Sequence, residues 1–212
     1  MNASVPEPLT EQEIYTWRKA MRERLIARRL LIEPSVRRDH ASKIARHLLS
    51  LMEPLAGRTV SLYWPIRAEP DLRSLASPIR EAGGRCALPV VAEKNSPMVF
   101  KVWEPGAKLV PGIWNIPVPS DGSPVVPDIV LAPVVGYDRA CFRLGYGGGY
   151  FDRTLVSLTQ WPLVVGVGYA EAALPTIYPL SHDVPLDVIV TELGIVGTDN
   201  ASPTPLASSL RR

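Results

Sequence analysis

Apolar side chains recur at helical spacing near the start of the chain. One such stripe consists of Ile14, Trp17, Met21, Leu25 and Ile32. Residues three, four or seven apart share one face of an α-helix, and Thr10 with Glu13 fits the capping box that begins a helix. We therefore predict a first amphipathic helix that ends at about Ile32. Beyond Pro34, a comparable spacing predicts a second helix that ends at about Met52.

Downstream of Gly57 the pattern changes to short runs of apolar and β-forming residues. These runs, each of strand length, cover 59–64, 85–91, 98–103, 129–135, 163–169 and 188–191. Helical patterns at 71–82 and 150–158 separate some of them, and strands that alternate with helices are typical of an α/β fold. Near-continuous apolar runs such as DIVLAPVV indicate central strands covered on both faces. We predict a three-layer α/β/α sandwich with a mostly parallel central sheet.

The composition favours a single domain, and the net charge is too small to indicate a partner. The chain has 212 residues, of which 46% are hydrophobic, and its net charge is only +2. It has no apolar run of the ~20 residues that a membrane helix needs, and its first residues lack the apolar stretch of a signal peptide. Cys86 and Cys141 show no disulfide-rich or CxxC pattern, so we interpret both as buried hydrophobic residues. We predict a cytoplasmic protein with one domain over residues 1–197 and a disordered tail over residues 198–212.

The segment from Arg143 to Arg153, here called the glycine segment, gives the strongest indication of chemistry. It follows a predicted buried strand and has the sequence RLGYGGGYFDR. Glycines let backbone amides approach an anion, and the helix predicted from about Tyr150 offers its N-terminal N–H groups to phosphate. The two terminal arginines carry guanidinium groups suited to phosphate oxygens. The segment is neither a Walker A loop nor a GxGxxG motif, so these residues alone also allow a tight turn without a ligand.

The glycine segment resembles the signature of an enzyme family. RLGYGGGYFDR, preceded by PDIVLAPVVGYDR, is similar to the signature of 5-formyltetrahydrofolate cyclo-ligases, also called 5,10-methenyltetrahydrofolate synthetases. The resemblance extends to the basic pattern R-K-x-x-R at Arg18, to YWPIRAEPDL, to WNIPVP and to HDVPLDVIVTE, and it ends at about Glu192. Two positions depart from the common pattern: Cys141, where glycine is frequent, and Gly148, where some members have lysine.

The resemblance implies binding residues for ATP and for the folate substrate. The implied ATP-binding residues are Arg18, Arg22, Arg143, Leu144, Gly145, Tyr146, Gly147, Gly148, Gly149, Tyr150 and Phe151. The implied folate-binding residues are Trp64, Glu69, Trp114, Tyr146, Gly147, Gly148, Gly149 and Tyr150. A carboxylate such as Glu69 can accept hydrogen bonds from pterin N–H groups, and an indole such as Trp64 offers a flat wall for the ring. The resemblance also implies catalytic roles for Arg143, Tyr150 and Arg153.

Two aspartates match the magnesium ligands of the family. Asp152 belongs to the YFDR element, and Asp183 belongs to HDVPLD. Magnesium prefers oxygen ligands and usually keeps several waters, so two carboxylates together with ATP phosphates form a chemically reasonable site. Taken alone, each aspartate is also typical of a helix cap or a turn.

The implied reaction converts 5-formyltetrahydrofolate and ATP into 5,10-methenyltetrahydrofolate, ADP and phosphate. Phosphoryl transfer turns the formyl oxygen into a leaving group, so the protein supplies positioning and charge neutralisation rather than a nucleophile. The expected partners are therefore these small molecules and Mg²⁺, with no nucleic acid and no membrane. We expect a monomer or a weak homo-oligomer.

Two other functions stay open on the sequence alone. The basic helices between Arg18 and Arg46 also fit a non-catalytic nucleotide- or RNA-binding module, although only Tyr15 and Trp17 supply aromatic rings there. A sugar-phosphate isomerase or an acyl-transfer enzyme on a similar scaffold is the second alternative, because a fold alone does not determine function.

Overall fold

The computed structural model describes residues 9–197, which contain four α-helices and twelve β-strands. The helices are α1 (Glu11–Leu30), α2 (Pro34–Met52), α3 (Ala76–Glu81) and α4 (Tyr150–Ser157). The strands are β1 (Thr59–Ser61), β2 (Arg85–Val90), β3 (Val99–Val102), β4 (Leu109–Pro111), β5 (Pro117–Pro119), β6 (Pro124–Val125), β7 (Ile129–Pro133), β8 (Gly136–Tyr137), β9 (Arg143–Leu144), β10 (Leu163–Val167), β11 (Val188–Thr191) and β12 (Gly194–Gly197). The tail predicted to be disordered, residues 198–212, lies outside the described range.

The two long helices begin where the sequence pattern predicts. The Thr10 hydroxyl accepts a hydrogen bond from the Glu13 amide (3.3 Å), and the Glu13 carboxylate accepts one from the Thr10 amide (2.7 Å), which forms the predicted capping box. α2 begins at Pro34, whose fixed φ and missing N–H suit the first helical turn. α1 ends at Leu30, slightly before the predicted end at Ile32.

Eight strands form one sheet in the order β12-β11-β10-β7-β1-β2-β3-β6. Strands β11, β10, β7, β1 and β2 run parallel to one another. Strands β12 and β3 pair antiparallel at either side of this group, and β6 pairs antiparallel with β3. Two further pairs, β4 with β5 and β8 with β9, form separate small sheets. The predicted α/β fold with a mostly parallel central sheet is confirmed.

Apolar side chains cover both faces of the sheet. Ile129 and Leu131 of β7 lie in a buried cluster with Ile44 of α2 and with α3 side chains. Val130, which points to the opposite face, lies in a second buried cluster with Leu155 of α4. The three predicted layers are therefore present, with α2 and α3 on one face and α4 on the other.

Element boundaries differ from the sequence prediction in several places. β1 ends at Ser61 instead of Trp64, since the chain leaves the sheet before Pro65, which has no N–H to donate to a ladder. The segment 71–82, predicted as one helix, contains a 3₁₀ turn at Arg73–Leu75 followed by the six-residue α3. The pairs β4–β5 and β8–β9 were not predicted, because strands of two or three residues are too short to show a period.

The strand order positions a cleft at the carboxyl ends of β1 and β7. These strands are neighbours in the sheet. Along the chain, the next strand of this sheet after β1 is β2, which lies on one side of the pair. The next strand of this sheet after β7 is β10, which lies on the other side. Ligands of open α/β sheets bind at such a switch point, outside the carboxyl ends of the strands. The loops that leave this position are 62–72 and 134–149. No helix within residues 9–197 combines the length and the apolar character needed to cross a membrane.

Candidate active site

The hairpin β8–β9 connects the central strand β7 to the glycine segment. The Asp138 carboxylate holds the hairpin loop, because it accepts hydrogen bonds from the amides of Ala140 and Phe142 (3.1 Å each) and from the amide of Ile177 (3.1 Å). Cys141 has a left-handed backbone with φ +61° and is fully buried. This conformation favours glycine, which explains physically why a cysteine at this position is a departure from the family pattern. Cys86 is buried as well, as predicted for both cysteines.

Two glycines of the glycine segment are required by their backbone and their neighbours. Gly147 and Gly149 have φ +91° and +63°, which other residues rarely adopt. A Cβ atom on Gly147 would lie 3.3 Å from Cζ of Arg22, and one on Gly149 would lie 2.8 Å from Nη1 of Arg153. The glycines therefore let two guanidinium groups approach the backbone closely.

Backbone carbonyls of the glycine segment hold these two guanidinium groups. Arg22 donates from Nε to the Gly145 carbonyl (2.7 Å), and Arg153 donates from Nη2 to the Gly148 carbonyl (2.6 Å). Arg153 also lies over the Tyr150 ring, with its guanidinium carbon 5.0 Å from the ring centroid. Burial, with the nearby charge of Arg18, lowers the pKa of Arg22 below its ordinary value. The cations are thus concentrated around the amides of residues 145–149.

Arg143 is a buried guanidinium with an incomplete set of partners. Its Nη2 lies 2.9 Å from the Asp152 carboxylate, and its guanidinium carbon lies 5.4 Å from the Phe151 ring centroid. Within residues 9–197 its Nη1 is buried without a hydrogen-bond acceptor, as is Nε of Arg153. A buried donor without an acceptor is costly, and a phosphate oxygen would satisfy it. Burial lowers the pKa of Arg143 against the opposing effect of Asp152.

Arg18 and Asp183 form a buried ion pair that ties α1 to the 177–183 loop. Arg18 donates to both oxygens of Asp183, to the Ile177 carbonyl (3.0 Å) and to the Tyr178 carbonyl (2.7 Å). Each guanidinium nitrogen of Arg18 therefore has an acceptor inside the protein. The Asp183 carboxylate also accepts a hydrogen bond from the Leu180 amide (2.6 Å). Arg18 thus uses four of its five N–H donors on acceptors inside the protein.

The two predicted magnesium ligands lie on segments that are distant in the chain but contact each other in the fold. One Asp152 oxygen accepts from the amide of Val184 (3.2 Å), the residue after Asp183, and the other oxygen faces Arg143. Nothing in residues 9–197 forms a cluster of three or more His, Cys, Asp or Glu side chains that could hold a metal. Each carboxylate has about four acceptor positions and uses only some of them. This donor set fits a magnesium ion that takes its remaining ligands from phosphate oxygens and water.

A buried network joins the glycine segment to the loop after β1. The Tyr146 hydroxyl donates to Oε1 of Glu69 (2.8 Å) and accepts a hydrogen bond from Nη2 of Arg29. The other Glu69 oxygen accepts from the Ile66 amide (2.9 Å), and Arg29 donates from Nε to the Arg67 carbonyl (2.9 Å). Burial raises the pKa of Glu69 and that of Tyr146 above their ordinary values. Two residues that the family resemblance assigns to folate binding are therefore in direct contact.

Sequence reasoning missed Arg29, although the chain contains a signal for it. Arg29 is only 5% exposed and lies on the same face of α1 as Arg18, Ile14 and Leu25, all of which are buried. Helical spacing places Arg22 on this face too. Arginines interleaved with apolar residues on an inward helix face indicate that they meet acceptors inside the fold.

The remaining candidate residues lie in three places. Leu144 is buried in a core cluster with Leu25, and its carbonyl accepts a hydrogen bond from the Val135 amide (2.9 Å). Trp114, 62% exposed, packs edge-on against Tyr150 with ring centroids 5.2 Å apart, beside the glycine segment. Trp64 lies apart from that pair, in the loop after β1, where it lines a cavity of about 870 Å³ together with Glu69.

The chain is similar to known proteins over most of its length. The profile of the 5-formyltetrahydrofolate cyclo-ligase family matches residues 14–192. The chain belongs to this family. The family resemblance predicted from the sequence is therefore confirmed, and the matched range is close to the predicted span from Arg18 to Glu192.

Individual cyclo-ligase relatives cover most of the chain. The 5-formyltetrahydrofolate cyclo-ligase of Mycolicibacterium smegmatis is 29% identical over 185 residues, which are 83% of this chain and 94% of the relative. That of Escherichia coli K12 is 28% identical, over 77% of this chain and 94% of the relative. The NMR structure of Aquifex aeolicus 5,10-methenyltetrahydrofolate synthetase superposes with a TM-score of 0.75 at 29% identity and covers 92% of this chain and 96% of its own. The solved synthetase therefore shares the fold described above along nearly its whole length.

Proposed function

We propose that this protein catalyses the ATP-dependent cyclisation of 5-formyltetrahydrofolate to 5,10-methenyltetrahydrofolate, with release of ADP and phosphate. The observation that carries the proposal is the hydrogen bond from the Tyr146 hydroxyl to the Glu69 carboxylate (2.8 Å). It joins the glycine segment, a candidate phosphate site, to the candidate folate loop at the switch point of the sheet. Membership in the cyclo-ligase family supports the same reaction.

ATP would bind with its phosphates along residues 145–149. Backbone amides and the N-terminus of α4 favour anions, while the guanidinium groups of Arg22 and Arg153 lie against the same stretch. The unpartnered Nη1 of Arg143 would gain an acceptor from a phosphate oxygen. Because Arg18 has an internal acceptor for each of its guanidinium nitrogens, its role would be to position Asp183 and α1.

The folate would lie across the Glu69–Tyr146 contact. Glu69 is a buried carboxylate whose acceptor positions suit pterin N–H groups, and its raised pKa follows from burial. Trp64 on one side and Trp114 with Tyr150 on the other offer aromatic surfaces for the pterin and aminobenzoyl rings. This orientation brings the formyl oxygen toward the glycine segment.

The chemistry requires the formyl oxygen to leave as phosphate. Transfer of the γ-phosphoryl group to this oxygen breaks the bond to ADP and forms an imidate-type phosphate. Nitrogen 10 then attacks the formyl carbon and loses its proton, and the carbon–oxygen bond breaks to release phosphate. Arg143, Arg153 and the amides of residues 147–149 would stabilise the phosphoryl charge, and Tyr150 would border it. Asp152 and Asp183 would hold a magnesium ion, which supplies further neutralisation of phosphate charge when bound.

One assay tests this function directly. Purified protein is incubated with 5-formyltetrahydrofolate, Mg²⁺ and ATP, and both the absorbance of the methenyl product and the release of ADP are recorded. We expect the two to rise together in equal amounts. ATP binding without methenyl formation would contradict the proposal. Omission of folate is the control, since ADP release without it would indicate a simple ATPase.

The arrangement of the arginines in α1 also favours small molecules, rather than RNA, as partners. Arg18, Arg22 and Arg29 bond to the protein's own carbonyls, hydroxyl and carboxylate groups, so they do not form the exposed basic surface that an RNA-binding helix needs. A cytoplasmic location and a monomer or weak homo-oligomer stay predictions.

A further inference from the structure

Glu69 ends a tight turn, residues 66–69, whose sequence does not favour its backbone. The Glu69 amide donates to the Ile66 carbonyl (3.0 Å), and the Ile66 amide donates back to the Glu69 carboxylate (2.9 Å). The two central residues, Arg67 and Ala68, have φ +46° and +61°. A β-turn with positive φ at both central positions is normally built from Gly, Asn or Asp, because this region is costly for most residues that have a Cβ. Contacts from outside the turn are therefore needed to hold it.

Side chains from two other elements bond the carbonyls of both central residues. Arg29 of α1 donates from Nε to the Arg67 carbonyl (2.9 Å), and the Tyr169 hydroxyl donates to the Ala68 carbonyl (3.1 Å). Rotation of either peptide unit out of its left-handed arrangement would break one of these bonds and leave a buried donor without an acceptor, which is costly. The turn is thus held at the two positions that its own residue types do not favour.

Tyr169 belongs to the core of the fold. It lies two residues after β10, at the carboxyl end of the parallel strands, and is 2% exposed. Its ring packs against the ring of His40 on α2, with ring centroids 5.7 Å apart. Burial raises the pKa of the Tyr169 hydroxyl to about 12, so this group keeps its proton at neutral pH and can donate. A buried tyrosine hydroxyl usually bonds a partner, and here the partner is the backbone next to Glu69.

We propose that Tyr169 is a positioning residue for the cyclisation, whose hydroxyl holds the 66–69 turn so that the Glu69 carboxylate is oriented for the folate. This inference rests on the proposed function, in which Glu69 binds the pterin. The connection is short: Tyr169 bonds the carbonyl of Ala68, the next residue is Glu69, and Glu69 accepts from the Tyr146 hydroxyl (2.8 Å). Tyr169 therefore acts on the folate through the backbone of the turn, while the glycine segment binds the nucleotide.

Tyr169→Phe tests the proposal, because it removes the hydroxyl and keeps the ring. Ala68 then loses the bond that holds its left-handed backbone, and Glu69 moves with the turn. We expect about a tenfold higher KM for 5-formyltetrahydrofolate, with kcat and the KM for ATP unchanged. Tyr137→Phe is the matched control, since Tyr137 is also buried and its hydroxyl bonds the Ala170 carbonyl (3.5 Å) instead of the turn. It should keep both KM values of the wild type.

Rescue by a glycine distinguishes this role from a general contribution to stability. Glycine adopts positive φ readily, so Ala68→Gly lets the turn form without the bond from Tyr169. In the double variant Tyr169→Phe/Ala68→Gly we expect the folate KM to return to within about threefold of that of Ala68→Gly alone. Circular dichroism checks that each variant is folded at the assay temperature.

Several results would overturn the inference. These are an unchanged folate KM in Tyr169→Phe, the same rise in Tyr137→Phe, an equal rise in the KM for ATP, and no rescue by Ala68→Gly. Failure of the proposed function is distinguishable, because the wild type itself would then form no methenyl product. Quenching of tryptophan fluorescence by 5-formyltetrahydrofolate without ATP would in that case still compare folate binding by the same variants.

Discussion

Arg29 places a guanidinium group inside the protein, next to the carboxylate of Glu69. Burying such a charge is costly unless hydrogen bonds satisfy it, and Arg29 donates to the Arg67 carbonyl and to the Tyr146 hydroxyl. Its Nη2 lies 4.0 Å from a Glu69 oxygen. The arginine therefore fixes the tyrosine and the carboxylate together, which gives both a defined orientation before substrate arrives.

Replacement of Tyr146 by phenylalanine would remove the hydroxyl of this network and keep the ring. Loss of a donor to the buried Glu69 costs about 1–3 kcal/mol, so we expect a lower melting temperature. We also expect about a tenfold higher KM for 5-formyltetrahydrofolate, which corresponds to about 1.4 kcal/mol. Steady-state kinetics and thermal unfolding measure the two effects. Tyr15→Phe, at an exposed tyrosine of α1, is the control, and an unchanged folate KM in Tyr146→Phe would exclude this hydroxyl from the site.

The ion pair between Arg18 and Asp183 predicts a loss of stability in acid. Burial raises the pKa of Asp183, but hydrogen bonds from Arg18 and Leu180 outweigh burial and hold this pKa below the ordinary value of 3.8. A carboxyl group whose pKa is lowered by folding contributes stability that is present above the unfolded pKa and is lost as pH falls through the folded pKa. We expect the free energy of unfolding to decrease below about pH 4, and to do so less steeply in Asp183→Asn.

Denaturant titrations at several pH values between about 3 and 7 measure this dependence. At neutral pH, Arg18→Met leaves a buried carboxylate without its partner and should cost about 3 kcal/mol. Arg24→Met, at an exposed arginine of the same helix, is the control. The same pH dependence in Asp183→Asn and in the wild type would show that other groups cause the acid transition.

At the scale of elements, long apolar runs could be predicted from the sequence and short connections could not. The run containing β7 is buried on both faces, so its pattern is continuous and unambiguous. The loop after β1 is different, because Arg67 and Ala68 have φ +46° and +61°. Arginine and alanine rarely adopt positive φ, so their residue types do not predict this backbone conformation. The backbone of this loop brings Glu69 to Tyr146.

In the candidate site, too, some residues could be predicted from the sequence and others could not. The glycines and arginines of the glycine segment lie within eleven consecutive residues, so a pattern of residue types reveals them together. Arg29 has no such pattern. Its role depends on contacts between residues far apart in the chain, such as the hydrogen bond from Arg29 to Tyr146. Only the strand order and the path of α1 bring such residues together.

Gly149 tests whether the backbone of the glycine segment matters for the nucleotide. Alanine there is strained at φ +63° and places Cβ 2.8 Å from Nη1 of Arg153, which must move. We expect a loss of about 1–2 kcal/mol in stability and about a tenfold higher KM for ATP. Gly57→Ala has comparable strain at φ +76° but open space around the added Cβ, so it should lose stability without a change in this KM. Equal KM values for both variants would contradict the assignment.

Asp152→Asn tests the candidate magnesium site at the start of α4. The amide keeps the shape of the side chain but removes the charge that pairs with Arg143. We expect a large loss of turnover and a weaker dependence on Mg²⁺, while circular dichroism shows the fold retained. Asp121→Asn, at an exposed aspartate outside the glycine segment, is the control and should leave the Mg²⁺ titration unchanged. An unaffected Mg²⁺ dependence in Asp152→Asn would exclude this carboxylate as a ligand.

At the scale of the whole molecule, α1 connects loops that are distant in sequence. Arg18 bonds the 177–183 loop, Arg22 bonds the glycine segment, and Arg29 bonds the 66–69 loop through the Arg67 carbonyl. These loops surround the carboxyl ends of the parallel strands. A ligand that contacts the glycine segment therefore stabilises a structure in which the helix, both central loops and the sheet are held together.

Because α1 connects these loops, ATP binding should raise the free energy of unfolding of the entire fold. A ligand that binds only the folded protein raises the free energy of unfolding by about 2.7 kcal/mol at a concentration one hundred times its Kd. We expect ATP with Mg²⁺ to raise the melting temperature of the wild type, and Arg22→Gln to shift that response to higher ATP concentrations because a guanidinium group next to Gly145 is lost. Arg24→Gln removes the same charge from the exposed side of α1 and should respond like the wild type. Identical responses of the two variants would show that the nucleotide binds away from Arg22, and the glycine segment would then no longer be its site.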